Sequence, residues 1–199
     1  LSDEIRVLDA ATAAQVARFR TTLPGEGDRT APTPGNPRTR PMGIAWAGSD
    51  SASAAPDPAS PAGAGRLFVS LHREGVLAAF TPSGEPLGRW PVGAGPMGVA
   101  VTPGARYVVV ATRTEPGLAV VDPRFGEVHR LELAAAPAPR VVVLAPDGRT
   151  AFVAAEGSPT TPGEVLAVDL DRGVVTWRAP TGPFTTGLAW RPAPGGESR

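Results

Sequence analysis

An all-β array of repeated four-stranded units is the fold class this sequence predicts, and three observations predict it. First, the phrase Pro96-Met97-Gly98-Val99-Ala100-Val101-Thr102-Pro103 returns as Pro139-Arg140-Val141-Val142-Val143-Leu144-Ala145-Pro146, 43 residues later with the same internal spacing. Second, an apolar run closed by an acid appears as Ile5-Arg6-Val7-Leu8-Asp9, Leu118-Ala119-Val120-Val121-Asp122 and Val165-Leu166-Ala167-Val168-Asp169. Between the first two, Val76-Leu77-Ala78-Ala79-Phe80 keeps the pattern with Phe80 in the acid's place, giving steps of 42 and 47 residues. Third, hairpin chemistry separates the runs at Pro82-Ser83-Gly84, Pro146-Asp147-Gly148 and Asp171-Arg172-Gly173. Self-similarity at such a period is the mark of a repeat architecture.

Each repeat holds four short strands and has no room for a helix of three turns. Such a unit cannot bury both faces alone, and radial stacking of neighbours, with first strands lining a channel, solves this as a β-propeller. A sandwich is the main alternative, but it does not require a recurring phrase of roughly 40–45 residues.

Taken in order, residues 1–20 read as the third and fourth strands of a blade. Residues 21–40, rich in Pro and Gly, read as a loop insertion. Residues 41–93 form a blade interrupted at 48–65 by a Ser/Ala/Pro/Asp tract with too little apolar content to bury anything. Residues 94–134 and 135–180 read as complete blades, 184–192 as the first strand of a further one, and 193–199 as a polar tail. That makes about four blades, one strand short of four complete ones. Because an open array leaves exposed sheet edges, the chain is expected to be part of a larger propeller of about seven blades, with four-bladed closure or a paired half-propeller as the alternatives.

Composition sets the outer limits. The 199 residues are 42% hydrophobic and turn-dense, with 24 Gly and 24 Pro. No apolar run approaches the ~18 residues of a membrane span. The net charge is zero, which argues against a dedicated nucleic-acid or anionic-membrane surface. All 19 basic residues are arginine, which together with the Ala, Gly and Pro content points to high-GC coding. With no cysteine, disulfides, thiolate catalysis and haem attachment through Cys-x-x-Cys-His are excluded within this chain. Two distant histidines, His72 and His129, make no metal motif. The glycine-rich stretch Val92-Gly93-Ala94-Gly95-Pro96 precedes no helix that could aim a dipole at phosphate, so it is not a nucleotide site. No cofactor is expected.

Asp9, Asp122 and Asp169 begin the turn after a third strand, where an aspartate accepts backbone amide hydrogens; they are read as structural. Trp46, Trp90, Trp177 and Trp190 fall in or beside strand runs and are expected to pack between blades.

The phrase Pro-x-Gly-[Val/Ile]-Ala-x-x-Pro, followed by Tyr107-Val108-Val109-Val110 or Phe152-Val153-Ala154-Ala155, then Val-x-Val-x-Asp and a Gly-x-Val return, resembles the YVTN-type β-propeller repeat. The resemblance spans nearly all of the chain outside the insertions and tail, and no Gly-His or Trp-Asp pair suggests the WD40 subtype. It implies a propeller related to surface-layer, quinoprotein amine dehydrogenase-like and lactonase-like domains, bacterial and exported to the periplasm or beyond.

Propeller chemistry sits mainly where loops enter the first strand and join the second to the third. There the sequence places Arg40, His72, Arg73, Glu74, Arg113, Glu115, Arg140 and Glu156. As a site, the arginines would clamp a carboxylate or phosphate, with His72 or a glutamate as acid–base group; as plain surface, they are the charges that polar turns ordinarily carry. The functional expectation is a non-enzymatic module binding a protein partner or small anionic ligand through Arg40, His72, Arg73, Arg113, Glu115, Arg140 and Glu156, with the rest of the propeller supplied by further sequence. One alternative is a lactonase-like hydrolase, which requires His72, Arg113, Arg140 and Glu156 to converge on one cavity. Another is the propeller part of an exported cytochrome- or quinoprotein-type redox protein.

Overall fold

Apolar runs of five to seven residues, cut by glycine-containing turns, can satisfy their backbone hydrogen bonds only by pairing with neighbours. The computed structural model describes residues 4–9, 11–21, 40–48, 65–133 and 136–191. Most of the two insertions expected at 21–40 and 48–65, and the tail at 193–199, lie outside these residues.

The chain is all-β. Strands β1 (Glu4–Leu8) and β2 (Gln15–Arg20) form a hairpin sheet. Strands β3 (Pro41–Ala47), β4 (Arg66–Leu71), β5 (Val76–Phe80) and β6 (Pro86–Pro91) form a second sheet, four-stranded and antiparallel in chain order. The third sheet holds β7 (Pro96–Val101), β8 (Val108–Thr112), β9 (Gly117–Asp122) and β10 (Glu127–Glu132). The fourth holds β11 (Ala138–Leu144), β12 (Thr150–Glu156), β13 (Glu164–Asp169) and β14 (Val174–Pro180). These are propeller blades. Among the described residues the helical content is one 3₁₀ turn, Pro103–Ala105.

Burial follows strand position. Every residue of β8 is buried, whereas β10 and β14 expose most of theirs, so the middle strands carry the core. Phe68, Leu77 and Ala79 of the second sheet meet Val108, Val110 and Val121 of the third. Val109, Ala111 and Leu118 of the third meet Val142, Val153 and Leu166 of the fourth.

The recurring Pro-x-Gly phrase is a bulge. Pairing registers shift between Pro41 and Gly43, between Pro96 and Val99, and between Pro139 and Val141. An extra residue at that point re-aims the first strand. The glycine lets the next blade approach: a Cβ on Gly43 would run into the Met97 carbonyl, and one on Gly98 would lie 2.8 Å from the Arg140 carbonyl. Buried Ser70 ties the same junction, accepting from the Gly43 amide at 2.8 Å and donating to the Met97 carbonyl at 2.5 Å.

The turn aspartates act as read. Asp9 accepts from the amides of Ala11 and Thr12, Asp122 from Arg124, and Asp169 from Arg172. Two expectations are corrected. The segment 184–192, read as the first strand of a further blade, takes part in no ladder over its described residues 184–191; a strand needs a partner edge, and none stands beside them among the described residues. Of the tryptophans, Trp90 packs at the seam of the second and third sheets, but Trp46, Trp177 and Trp190 are 52%, 53% and 38% exposed. Trp177 stands on an outermost strand, Trp190 on the unpaired segment, and Trp46 on a first strand whose outward face has no covering sheet among the described residues.

Candidate functional site

The loops entering first strands and those joining second to third strands gather on one face and are knit by backbone bonds. The Arg40 carbonyl accepts the His72 amide at 3.1 Å, and Gly95 accepts that of Arg113 at 2.9 Å. Arg40 holds this geometry at φ 46°, a left-handed conformation uncommon outside glycine. At Gly95, φ 69°, an added Cβ would strike Thr114, so only glycine lets the two loops close.

Arg40, His72, Arg73 and Thr114 line an open cleft of about 610 Å³. The Nδ1 of His72 lies 3.3 Å from the Pro96 carbonyl oxygen. A carbonyl only accepts, so Nδ1 carries the proton and Nε2 of the neutral ring is an acceptor. Burial pushes the imidazole below its ordinary pKa; the Pro96 carbonyl opposes this, and the charges of Arg40, Arg113 and Arg73 reinforce it. Three guanidinium groups therefore set the field around one neutral histidine.

Arg113 and Arg140 converge on Glu156 across the third and fourth sheets. Its Oε2 accepts from Arg113 Nη2 at 3.1 Å and from Arg140 Nη1 at 2.7 Å. The Glu156 side chain is only 11% exposed, against 45% and 31% for the arginines. One carboxylate thus holds two cations, and each guanidinium has further N–H donors.

Of the seven predicted residues, then, Arg40, His72 and Arg73 share a cleft, while Arg113, Arg140 and Glu156 form an adjoining ion cluster. Arg113 links the two through its charge. Glu115 is drawn away, to Arg130 Nη2 at 2.7 Å and the Ala94 amide at 3.3 Å. The Ala94 amide first, then Arg130, hold its carboxyl below the usual range. A second cleft, of about 570 Å³, opens beside Glu115 and Arg130. Glu74, the eighth residue placed on this face, pairs with Arg89.

Arg89, Thr114 and Arg130 were not anticipated. Arg89 and Arg130 lie on the fourth strands β6 and β10; the recurrence of an arginine two to four residues before the next blade's entry loop was the available signal. The convergence that a hydrolase reading requires is incomplete, because His72 faces Pro96 while Glu156 is engaged by two arginines. Among the described residues no three of His, Asp and Glu gather as a metal site, and no helix is long and apolar enough to cross a membrane.

No family model matches the chain, and no curated protein matches it. Solved β-propeller structures do. Kuenenia stuttgartiensis hydrazine synthase is similar over 90% of this chain and 44% of its own, at 17% identity and TM-score 0.66. The dihydro-heme d1 dehydrogenase NirN is similar over 92% of this chain and 34% of its own, at 15% identity and TM-score 0.59. A nidogen/laminin complex chain is similar over 89% and 56% respectively, at 13% identity and TM-score 0.57. This chain spans between about a third and just over half the length of these three. At such identities the likeness shows the architecture: the chain is built as a β-propeller.

Proposed function

We propose that this chain is a non-enzymatic binding module that presents its loop face to an anionic group on a small ligand or a protein partner. The observation that carries this reading is the placement of Arg113 between the His72 cleft and the Arg140–Glu156 cluster. Arginine forks match carboxylate and phosphate oxygens, and the neutral imidazole adds a hydrogen-bonding group that protonates as an anion approaches. Its resemblance to the YVTN-type repeat supports an exported, periplasmic or extracellular, bacterial protein.

Titration of the full chain with inorganic phosphate and with acetate at low ionic strength, followed by NMR of the His72 ring, tests this. Millimolar binding with an upward move of the His72 pKa is expected, weakened at least fivefold in Arg113→Ala. No response of the ring to either anion overturns the reading.

A further inference from the structure

The three first strands β3, β7 and β11 are repeat equivalents, yet their preceding neighbours treat them differently. Val99 and Val101 of β7 pack into the seam with the second sheet, against a cluster that includes Ala47 and Phe68. Val142 and Leu144 of β11 pack into the seam with the third, whose cluster includes Ala100, Val109 and Ala111. The strands that meet these first strands are the first two of the preceding sheet: β3 and β4 lie against β7, and β7 and β8 against β11. The equivalents on β3 are Ile44 and Trp46, and these are 53% and 52% exposed, with Met42 37% exposed beside them.

Among the described residues the preceding sheet, β1–β2, holds neither of those two strands. It does cover the middle strands of the second sheet: Ile5 and Phe19 pack on Val69, Leu71, Ala78 and Phe80, with the Phe19 and Phe80 rings 5.1 Å apart. Among the described residues β1 pairs with β2 alone. An unpaired edge and an apolar stripe thus lie on the two sides of the same slot.

We propose that this slot is the seat of a β-hairpin of the same polypeptide, ahead of β1, whose second strand pairs antiparallel with β1 and whose first strand covers Met42, Ile44 and Trp46. It completes the first blade to four strands. The established seams carry the argument, since the stripe continues them residue for residue. Residues 185–191 cannot fill the slot. They offer one strand, and a first strand cannot reach β1 across the empty place of the second.

In the second and third sheets the loop between second and third strands is four residues long, 72–75 and 113–116, and in the fourth it is 157–163. A second copy of residues 94–113 fused directly before Leu1 leaves the same four-residue loop ahead of β1 and supplies a hairpin of repeat type. The extended chain is expected to melt at least ~5 °C higher than the 199-residue chain, with slowed hydrogen exchange at the amides of β1. Ile44→Asp should cancel that gain, yet shift the melting of the 199-residue chain by no more than ~1 °C, because Ile44 is exposed there. An unchanged melting temperature, or a gain that survives Ile44→Asp, overturns the proposal. If the extended chain is recovered only as aggregate, the peptide 96–112 is added in trans: slowed exchange at β1 supports the assignment, and unaltered exchange overturns it.

Discussion

The seam between the second and third sheets and the outward face of β3 use the same sequence pattern to opposite effect. In the seam, Phe68, Val108, Val110 and Val121 are each 2% exposed or less; on the face, Ile44 and Trp46 are half in solvent. Pattern alone does not decide burial here. What decides it is whether the preceding repeat brings its first two strands, as expected of an array whose stability is a sum of unit and nearest-neighbour terms. The contrast also explains the glycines. Gly43 and Gly98 are needed because another first strand lies against them, whereas the third copy of the phrase carries Val141 with no following strand beside it among the described residues.

The largest break of that contrast comes from moving the valine. Gly98→Val places a branched side chain against the Arg140 carbonyl and Val141 Cα, at 2.8 and 3.0 Å from its Cβ. Backbone cannot yield as a flexible side chain does, so a loss of ~3 kcal/mol or more is expected. Urea unfolding should show a much lowered midpoint or loss of a single cooperative transition. A variant as stable as the parent would mean that the two first strands do not touch.

Truncation on the two surfaces gives the next contrast. Leu118, 1% exposed within the seam of the third and fourth sheets, should cost ~3 kcal/mol when changed to Ala. Ile44→Ala, which removes a similar volume from the open face, should cost no more than ~0.5 kcal/mol. Equal losses in paired urea titrations would show the β3 face to be covered after all.

These differences bear on what could be read beforehand. The propeller architecture was legible because the repeat writes it several times: Pro96 and Pro139 open equivalent bulges, and Asp9, Asp122 and Asp169 cap equivalent turns. The fate of Trp46 was not, because a strand's own residues do not state whether a neighbour covers them. The segment 184–192 has a related reason for taking no strand partner over its described residues: Gly187-Leu188-Ala189-Trp190 has strand pattern but, among the described residues, no edge to join. At the loop face, the repeat placed Arg113 in a loop of the third sheet and Arg140 and Glu156 at neighbouring strand ends of the fourth, and their union follows from blade stacking. That Glu115 turns to Arg130 depends on side-chain reach across a blade, which spacing along the chain does not encode.

The smallest effect is a test of the loop face against the seams, through pH. The His72 pKa is lowered in the folded chain, chiefly by burial and then by the charges of Arg40, Arg113 and Arg73. A depressed histidine means the unfolded chain binds the proton more readily. Its contribution is therefore fully present above the unfolded value of about 6.5 and is lost as pH falls from there through the lower folded value. Asp122, lowered first by its bond from Arg124, and Asp147, held down by the amides of Arg149 and Thr150 against its burial, add losses only below about pH 4. Stability should thus fall in two steps on acidification, with His72→Asn removing the upper one and leaving the lower. Melting temperatures from pH 7.5 to 3.5 for the parent and His72→Asn read this directly, and an upper step that survives His72→Asn would remove His72 from the charged face that the arginines create.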